Sequence, residues 1–431
     1  MIGNRMIGKM LSDDAKVKIK KYLAVRQNRR MLQWKGRIAP YEKDSYPYGI
    51  NLIGDISAET GLGQSMRILA SVLDKEGFPF CIKQVDTHGK LAHTETVWEG
   101  KVTDFLPYAV NLIHFIPGTW AVDYCRLGKE ILDGRYNIAY WLWELETFPQ
   151  HWKPCMDTVD EIWTPSEFVS NCMRKETSKP VVTVPYAIDT GAQAVGTRRW
   201  KEDYGRGHFG LPEGKFLFLM MYDFISVSQR KNPQAAVEAY IRAFPKEKEG
   251  VGFVLKINHA EEGKLRQLRE ALLGYKNIYF LTDNMTRQEV DALMMASDAL
   301  VSLHRSEGFG LPVAEAMSFG KPVIATNWSA TTEFMDEECA CLVGYRQVML
   351  EKCVGPYEKG SCWAEADIGQ AADYMKRLVQ DKEYYNRIAE NAKERIERQL
   401  TYENAGRRMK ERLGDICGKE WMDEMCGEGE E

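Results

Sequence analysis

Two acids, three glycines and a helix start crowd into one stretch of the chain, Leu300–Ala325 (LVSLHRSEGFGLPVAEAMSFGKPVIA). Glu307 is followed by Gly308, Phe309, Gly310 and Leu311, and Pro312 stands where the first turn of a helix should begin. Glycines let the backbone come close to a ligand. The free N–H groups and positive dipole end of a helix start suit a phosphate or a hydroxyl-rich molecule. Glu315 follows Glu307 at the eighth position, so one acid lies on the loop and the other about one turn into the helix. One ligand can be gripped at two points along its length. Upstream, Tyr222–Pro233 (YDFISVSQRKNP) carries Arg230 and Lys231 just ahead of a second predicted helix. Two cations there suit an anionic group such as a phosphate.

Other candidates are single residues or short motifs. Lys256 and Asn258 end the apolar run FVLKIN, on the strand edge where α/β sheets take their ligands. In the first half, Gly61 and Gly63 sit in DISAETGLGQ, read as a short loop between a strand and a helix. His114 lies near the end of NLIHFI, and Tyr140–Trp152 (YWLWELETFPQHW) is dense in aromatic rings. Those rings fit either a large core or a surface that stacks on sugars. The ten cysteines include no CxxC pair; Cys339 and Cys341 form only CxC, without a second pair at zinc-like spacing.

These residues need a scaffold, and the hydrophobic pattern supplies two. From Tyr48 short apolar runs alternate with helical spacing: Tyr48–Asp55, Phe80–Val85, Ala109–Ile116, Asn137–Leu142, Glu161–Thr164 and Val181–Pro185 read as strands. Asp189–Gly210 is polar and glycine-rich and reads as a link. The alternation then restarts at Phe216–Met221 and runs to Pro322–Ala325. A charged helical tail follows from about Ile368. This predicts four segments: a basic arm at 1–46, an α/β domain at 47–200, a second at 201–375, and a helical tail at 376–431. A length of 431 residues agrees with two cores.

Composition narrows the classes. A net charge of -5 argues against nucleic-acid binding by the whole molecule. No apolar run reaches the roughly 18 residues of a membrane span, and the basic start lacks the apolar stretch of a secretory signal. The cytoplasm is the expected location. Residues 1–46 carry twelve Lys and Arg against four acids, with apolar residues at loose helical spacing. That pattern fits a solvated helix, or a surface for anionic lipid headgroups at the inner face of a membrane.

With these elements around it, Leu300–Ala325 resembles the donor-binding segment of the family-4 glycosyltransferases, whose E-x7-E motif Glu307 and Glu315 match. The resemblance covers about Tyr48–Leu413. It implies a GT-B fold: two Rossmann-like, doubly wound parallel-sheet domains facing a cleft, with a helical C-terminal tail. It also implies that Glu307 touches hydroxyls of the transferred sugar and that Glu315 holds the ribose. The amides of Gly308, Phe309, Gly310 and Leu311 would face sugar and diphosphate, with Lys231 on the diphosphate. By the same likeness Gly61 and Gly63 form the family's glycine loop, and His114 its cleft histidine. One departure stands out. The family's arginine directly after the first strand of the second domain is replaced by Tyr222-Asp223, and Arg230 is the substitute at hand. Tyr140–Trp152, with VDEIWTPSEF after it, resembles bacterial members that act on surface polysaccharides.

The expected activity is retaining, metal-independent transfer of a hexose from a nucleotide sugar, GDP-mannose or UDP-glucose in type, with a dTDP-sugar as a further option. The acceptor would be a glycan or a lipid-linked saccharide. Glu307 and His114 are the catalytic candidates; no cofactor and no metal ligand are expected. The alternatives are a silent nucleotide-sugar-binding partner in a glycan assembly complex and a sugar-nucleotide epimerase on the same frame. A dehydrogenase is disfavoured because the first glycine motif is not GxGxxG.

Overall fold

In the computed structural model, residues 13–86, 97–189, 204–224, 226–246 and 248–418 are described, with side chains from Tyr22 onward. The chain forms two compact units. The first comprises 1–186, 350–361 and 405–431, and the second 187–349 and 362–404. Most of the predicted link at Asp189–Gly210 and part of the basic arm lie outside the described residues.

The first unit opens with α1 (Asp13–Lys35), then β1 (Ile50–Gly54), α2 (Gly61–Lys75), β2 (Phe80–Gln84) and β3 (Val110–Ile113). Next come α3 (Pro117–Asp123), α4 (Lys129–Leu132), β4 (Tyr136–Tyr140), β5 (Glu161–Thr164), α5 (Glu167–Arg174) and β6 (Val181–Thr183). Its sheet has the order β2-β1-β3-β4-β5-β6 and every pairing is parallel. Parallel strands are buried on both faces, hence the near-continuous apolar runs. A ladder of buried asparagines crosses them: Asn51 Nδ2 donates to Asn111 Oδ1 at 2.9 Å, and Asn111 Nδ2 to Asn137 Oδ1 at 2.8 Å. The aromatic stretch is core, with Tyr140, Trp141, Trp143 and Phe148 all buried and Trp141 edge-on to Trp120 at 5.0 Å. Helix α1 docks by one stripe: Met31 is buried and Asn28 Nδ2 donates to His151 O at 2.7 Å.

The second unit contains β7 (Phe216–Asp223), α6 (Ser228–Lys231), α7 (Pro233–Ala243), β8 (Val251–Asn258), α8 (Glu262–Ala271) and β9 (Ile278–Leu281). It continues with α9 (Arg287–Ala296), β10 (Ala299–Ser302), α10 (Leu311–Ser318), β11 (Val323–Thr326) and β12 (Cys341–Val343). Its sheet, β12-β11-β10-β7-β8-β9, is again wholly parallel. A hairpin unforeseen in the sequence follows, β13 (Tyr345–Met349) against β14 (Cys362–Ala366). The tail is α11 (Ile368–Gln380), α12 (Lys382–Gln399) and α13 (Tyr402–Cys417). Asp367 and Asp381 cap the first two, accepting from Gln370 N and Tyr384 N.

From Ala405 the last helix belongs to the first unit. There Arg412 grips Glu161 on β5, with Nε 2.8 Å from Oε1 and Nη2 2.6 Å from Oε2. Trp163 Nε1 and Tyr136 OH donate to the same carboxylate at 2.7 and 3.1 Å. Glu161 is fully buried, so removing its cation leaves a charge that water cannot reach. Arg412→Ala should lower the stability of the first unit by about 3–5 kcal/mol, read as a lower urea midpoint. A midpoint within experimental error of the wild type would show that α13 is not held by this pair.

Candidate active site

Topology brings the distant candidates together. In the second sheet β10 pairs directly with β7. The segment after β7 carries Arg230 and Lys231, and the segment after β10 carries Glu307. The two cations therefore meet the acid at the carboxyl ends of neighbouring strands, where open α/β sheets bind ligands. Glu307 Oε2 lies 2.9 Å from Arg230 Nη1, and Glu307 Oε1 lies 2.5 Å from Lys231 Nζ. Both Glu307 and Arg230 are buried.

Each member is fixed by the backbone around it. Arg230 lies in the short helix α6, one residue before its end; its Nη1 donates to Ser306 O at 2.8 Å, and Arg305 N donates to Arg230 O at 2.7 Å. Asn232 then takes a left-handed conformation (φ 54°), which lets α7 start afresh at Pro233. Glu307 N donates to Ser329 Oγ at 2.8 Å, and Ser329 itself holds φ 68°. Such a value is uncommon for a non-glycine residue. Arg305 makes a two-pronged pair with Glu365 on β14, both contacts at 2.9 Å, so the hairpin braces the loop that carries Glu307.

Burial alone would raise the Glu307 pKa. The Arg230 and Lys231 charges outweigh it, and the carboxyl is held down to about 2. His304, also buried, is pushed below its ordinary value by desolvation. Its ring nitrogens lie 3.0 Å from Ser302 Oγ and 3.2 Å from Trp328 O.

Gly308, Phe309, Gly310 and Leu311 lead into α10. Gly310 has φ 95°, and a Cβ there would come within 2.4 Å of Thr331 Cγ2. Any side chain at this position is both strained and obstructed. Phe309 turns inward on Phe334, ring centroids 5.5 Å apart. Glu315 lies in α10, as its spacing required, and is buried with Oε1 2.8 Å from Arg287 Nη1. Arg287 opens α9 and also pairs with Asp291. No local pattern marks Arg287 as a partner, because the contact joins the first residue of α9 to the middle of α10.

Lys256 stands apart from this trio. It is buried on β8, and its Nζ donates to Asn258 Oδ1 and, at 2.8 Å, to Asp283 O. Burial lowers its pKa to about 8. Its bonds tie the end of β8 to the segment after β9. Asp223, at the position of the missing arginine, pairs with His259 Nδ1 at 3.0 Å.

The first-unit candidates form a separate group. Gly61-Leu62-Gly63 is not a loop, contrary to the sequence reading, but the first turn of α2. Thr60 is the reason: its Oγ1 accepts from Gly63 N at 3.1 Å and starts the helix earlier. Gly63 also has no room for a side chain, since a Cβ would fall 2.0 Å from Ala58 O; Gly61 has open space. One turn on, Ser65 Oγ lies 2.6 Å from His114 Nε2 and 2.5 Å from Tyr186 OH. The His114 ring stacks on Tyr140 at 5.6 Å, and burial pushes its pKa down to about 4, so it is neutral at pH 7.

Two parallel six-stranded Rossmann-like sheets, each the base of its own unit, with a helical tail, define the GT-B fold class. Residues 210–395 match the model of the family described as Glycosyl transferases group 1. Among curated relatives, YtcC of Bacillus subtilis (strain 168), provisionally named a glycosyltransferase, is 24% identical over 278 residues, spanning 61% of this chain and 62% of that protein. An MMP alpha-(1->4)-mannosyltransferase of Mycolicibacterium hassiacum is 26% identical over 127 residues, 29% of this chain and 26% of that protein. Each match thus spans less than two thirds of the relative. The crystal structure of Anabaena Alr3699/HepE in complex with UDP and glucose is similar with a TM-score of 0.62 at 14% identity, covering 85% of this chain and all of that one.

The depressed Glu307 pKa sets a pH dependence. The folded value lies below the unfolded one, about 4.3, so the stabilisation is present above that value and is lost as pH falls towards about 2. The stability difference between the wild type and Glu307→Gln should be constant above about pH 5 and shrink below about pH 4. Urea denaturation from pH 7 to pH 3 measures it. A difference that stays flat throughout would mean that Glu307 is not held ionised by its neighbours.

Proposed function

We propose that this protein is a retaining glycosyltransferase of the family-4 type that transfers a hexose without a metal ion. The observation that carries this reading is Glu307 fixed between Arg230 and Lys231 beside the start of α10. In one place the site offers a carboxylate for sugar hydroxyls, two cations for a diphosphate, and the positive dipole end of a helix. Glu315, one turn into α10, would take the ribose hydroxyls. The donor is a nucleotide sugar: GDP-mannose is preferred and UDP-glucose comes next. The mannosyltransferase relative and the UDP- and glucose-bound Anabaena protein support those two choices.

In this reading the bond from the anomeric carbon to the diphosphate oxygen breaks as an acceptor hydroxyl attacks from the same face. The released diphosphate oxygen takes the hydroxyl proton, and the nucleoside diphosphate departs with that bonding pair. Arg230 and Lys231 stabilise the charge arriving on it. His114, neutral and fixed by Ser65, serves the transferred sugar as a hydrogen-bonding group. No cofactor takes part.

The acceptor is a glycan or lipid-linked saccharide of a bacterial surface polysaccharide. Among the described residues no helix is long and apolar enough to cross a membrane. Helix α1 suits peripheral contact with the inner face of an anionic membrane, because Tyr22, Val25 and Leu32 are exposed on it alongside Arg26 and Arg29. Replacing both arginines by Glu should abolish co-sedimentation with vesicles rich in anionic lipid. Unchanged co-sedimentation would remove the membrane role.

The reading is tested by thermal melts against GDP, UDP, dTDP and their sugar conjugates, with and without chelator, followed by turnover with the sugar nucleotide that binds. One nucleotide should raise the melting temperature regardless of chelator. Glu307→Ala should lower transfer at least about 100-fold while keeping a cooperative melt. Unimpaired turnover in that variant would defeat the assignment.

A further inference from the structure

We propose that Glu307 makes the site distinguish the sugar nucleotide from the nucleoside diphosphate left after transfer, by competing with the diphosphate for Arg230 and Lys231. The inference rests on the glycosyl-transfer reading and assigns the carboxylate a second task within it.

The geometry is that of an anion already seated. Each oxygen of Glu307 takes one of the two cations, at 2.9 and 2.5 Å. Two of the three members are anchored at their places in the backbone. Arg230 is tied to Ser306 O and its own carbonyl to Arg305 N, while Glu307 is tied through its amide to Ser329 Oγ. Any phosphate that approaches these cations must therefore draw them away from a buried carboxylate.

The two ligands differ in what they return. A sugar nucleotide brings hydroxyls with its diphosphate, and hydroxyls donate to a carboxylate. When the cations turn to the phosphates, Glu307 is compensated. A nucleoside diphosphate lacks the transferred sugar, and its ribose hydroxyls go to Glu315: it takes the cations and leaves Glu307 a buried charge poorly paired, which is costly. The empty state, with Glu307 back on both cations, is then favoured over the product complex. The carboxylate thus aids product release in addition to holding the sugar.

The expected signature is opposite in sign for the two ligands. With Glu307→Gln the negative charge is gone and the shape is kept. UDP, GDP and inorganic pyrophosphate should be titrated calorimetrically into both forms. Whichever binds the wild type should bind the variant roughly tenfold more tightly, while the matching sugar nucleotide gains nothing or weakens. A merely structural Glu307 would weaken both ligands together. Glu307→Asp, which keeps the charge but draws it back, should fall between and serves if the Gln variant does not fold. If the diphosphates bind and the variants bind them no more tightly than the wild type, this inference falls while the glycosyl-transfer reading stands. If no form binds any diphosphate, both fall.

Discussion

A carboxylate stays ionised out of water only if cations are delivered to it at fixed distance, and much of the second unit can be understood as that delivery. Glu307 follows β10 and its cations follow β7, so the ion trio exists because those strands are neighbours in the sheet. Their order also sets the rest. Lys256 stands near the end of β8 on the other side of β7, and its ammonium is tied to the segment beyond β9. The charged groups therefore fan out along one sheet edge in strand order. Ser329 and the Arg305–Glu365 pair are the braces that a mobile loop would lack. A left-handed serine is tolerable when its hydroxyl holds the amide of the residue at the centre of the site.

The first unit solves a related problem without any ligand in view. Glu161 is as deeply buried as Glu307, but four donor groups from Arg412, Trp163 and Tyr136 saturate it. It has no capacity left to offer. Glu307 holds two cations that, in the proposed function, a donor diphosphate also uses. That contrast separates a carboxylate that fastens an element from one placed to exchange partners.

Much of this was legible in the residues, and the parts that were not share a cause. The two rounds of strand and helix were readable because parallel strands must be apolar on both faces. Leu300–Ala325 was readable because its glycines, Pro312 and two acids are local signals whose meaning depends on short spacing. Gly61-Leu62-Gly63 was misplaced because two glycines suggest a loop more strongly than one threonine suggests a cap. The hairpin at Tyr345–Ala366 escaped because β13 is mostly exposed and lacks an apolar alternation. Arg287 and Arg412 are ordinary helix-surface arginines until the tertiary fold sets an acid opposite each of them. Contacts of that range leave no periodic trace.

The return of α13 to the first unit orders events in time as well as in space. Glu161 and Arg412 are separated by 251 positions along the chain. At ordinary translation speeds of about 5–20 residues per second, roughly 10–50 s pass between synthesis of the acid and synthesis of its cation. For most of that interval every strand of the first sheet is already available, but β5 carries a carboxylate that cannot be buried at its final depth without cost. The nascent first sheet must stay incomplete, or stay partly hydrated at β5, until the last helix leaves the ribosome. The second unit is synthesised inside that interval and has no such debt. The half that comes first in the sequence is therefore the half that finishes last.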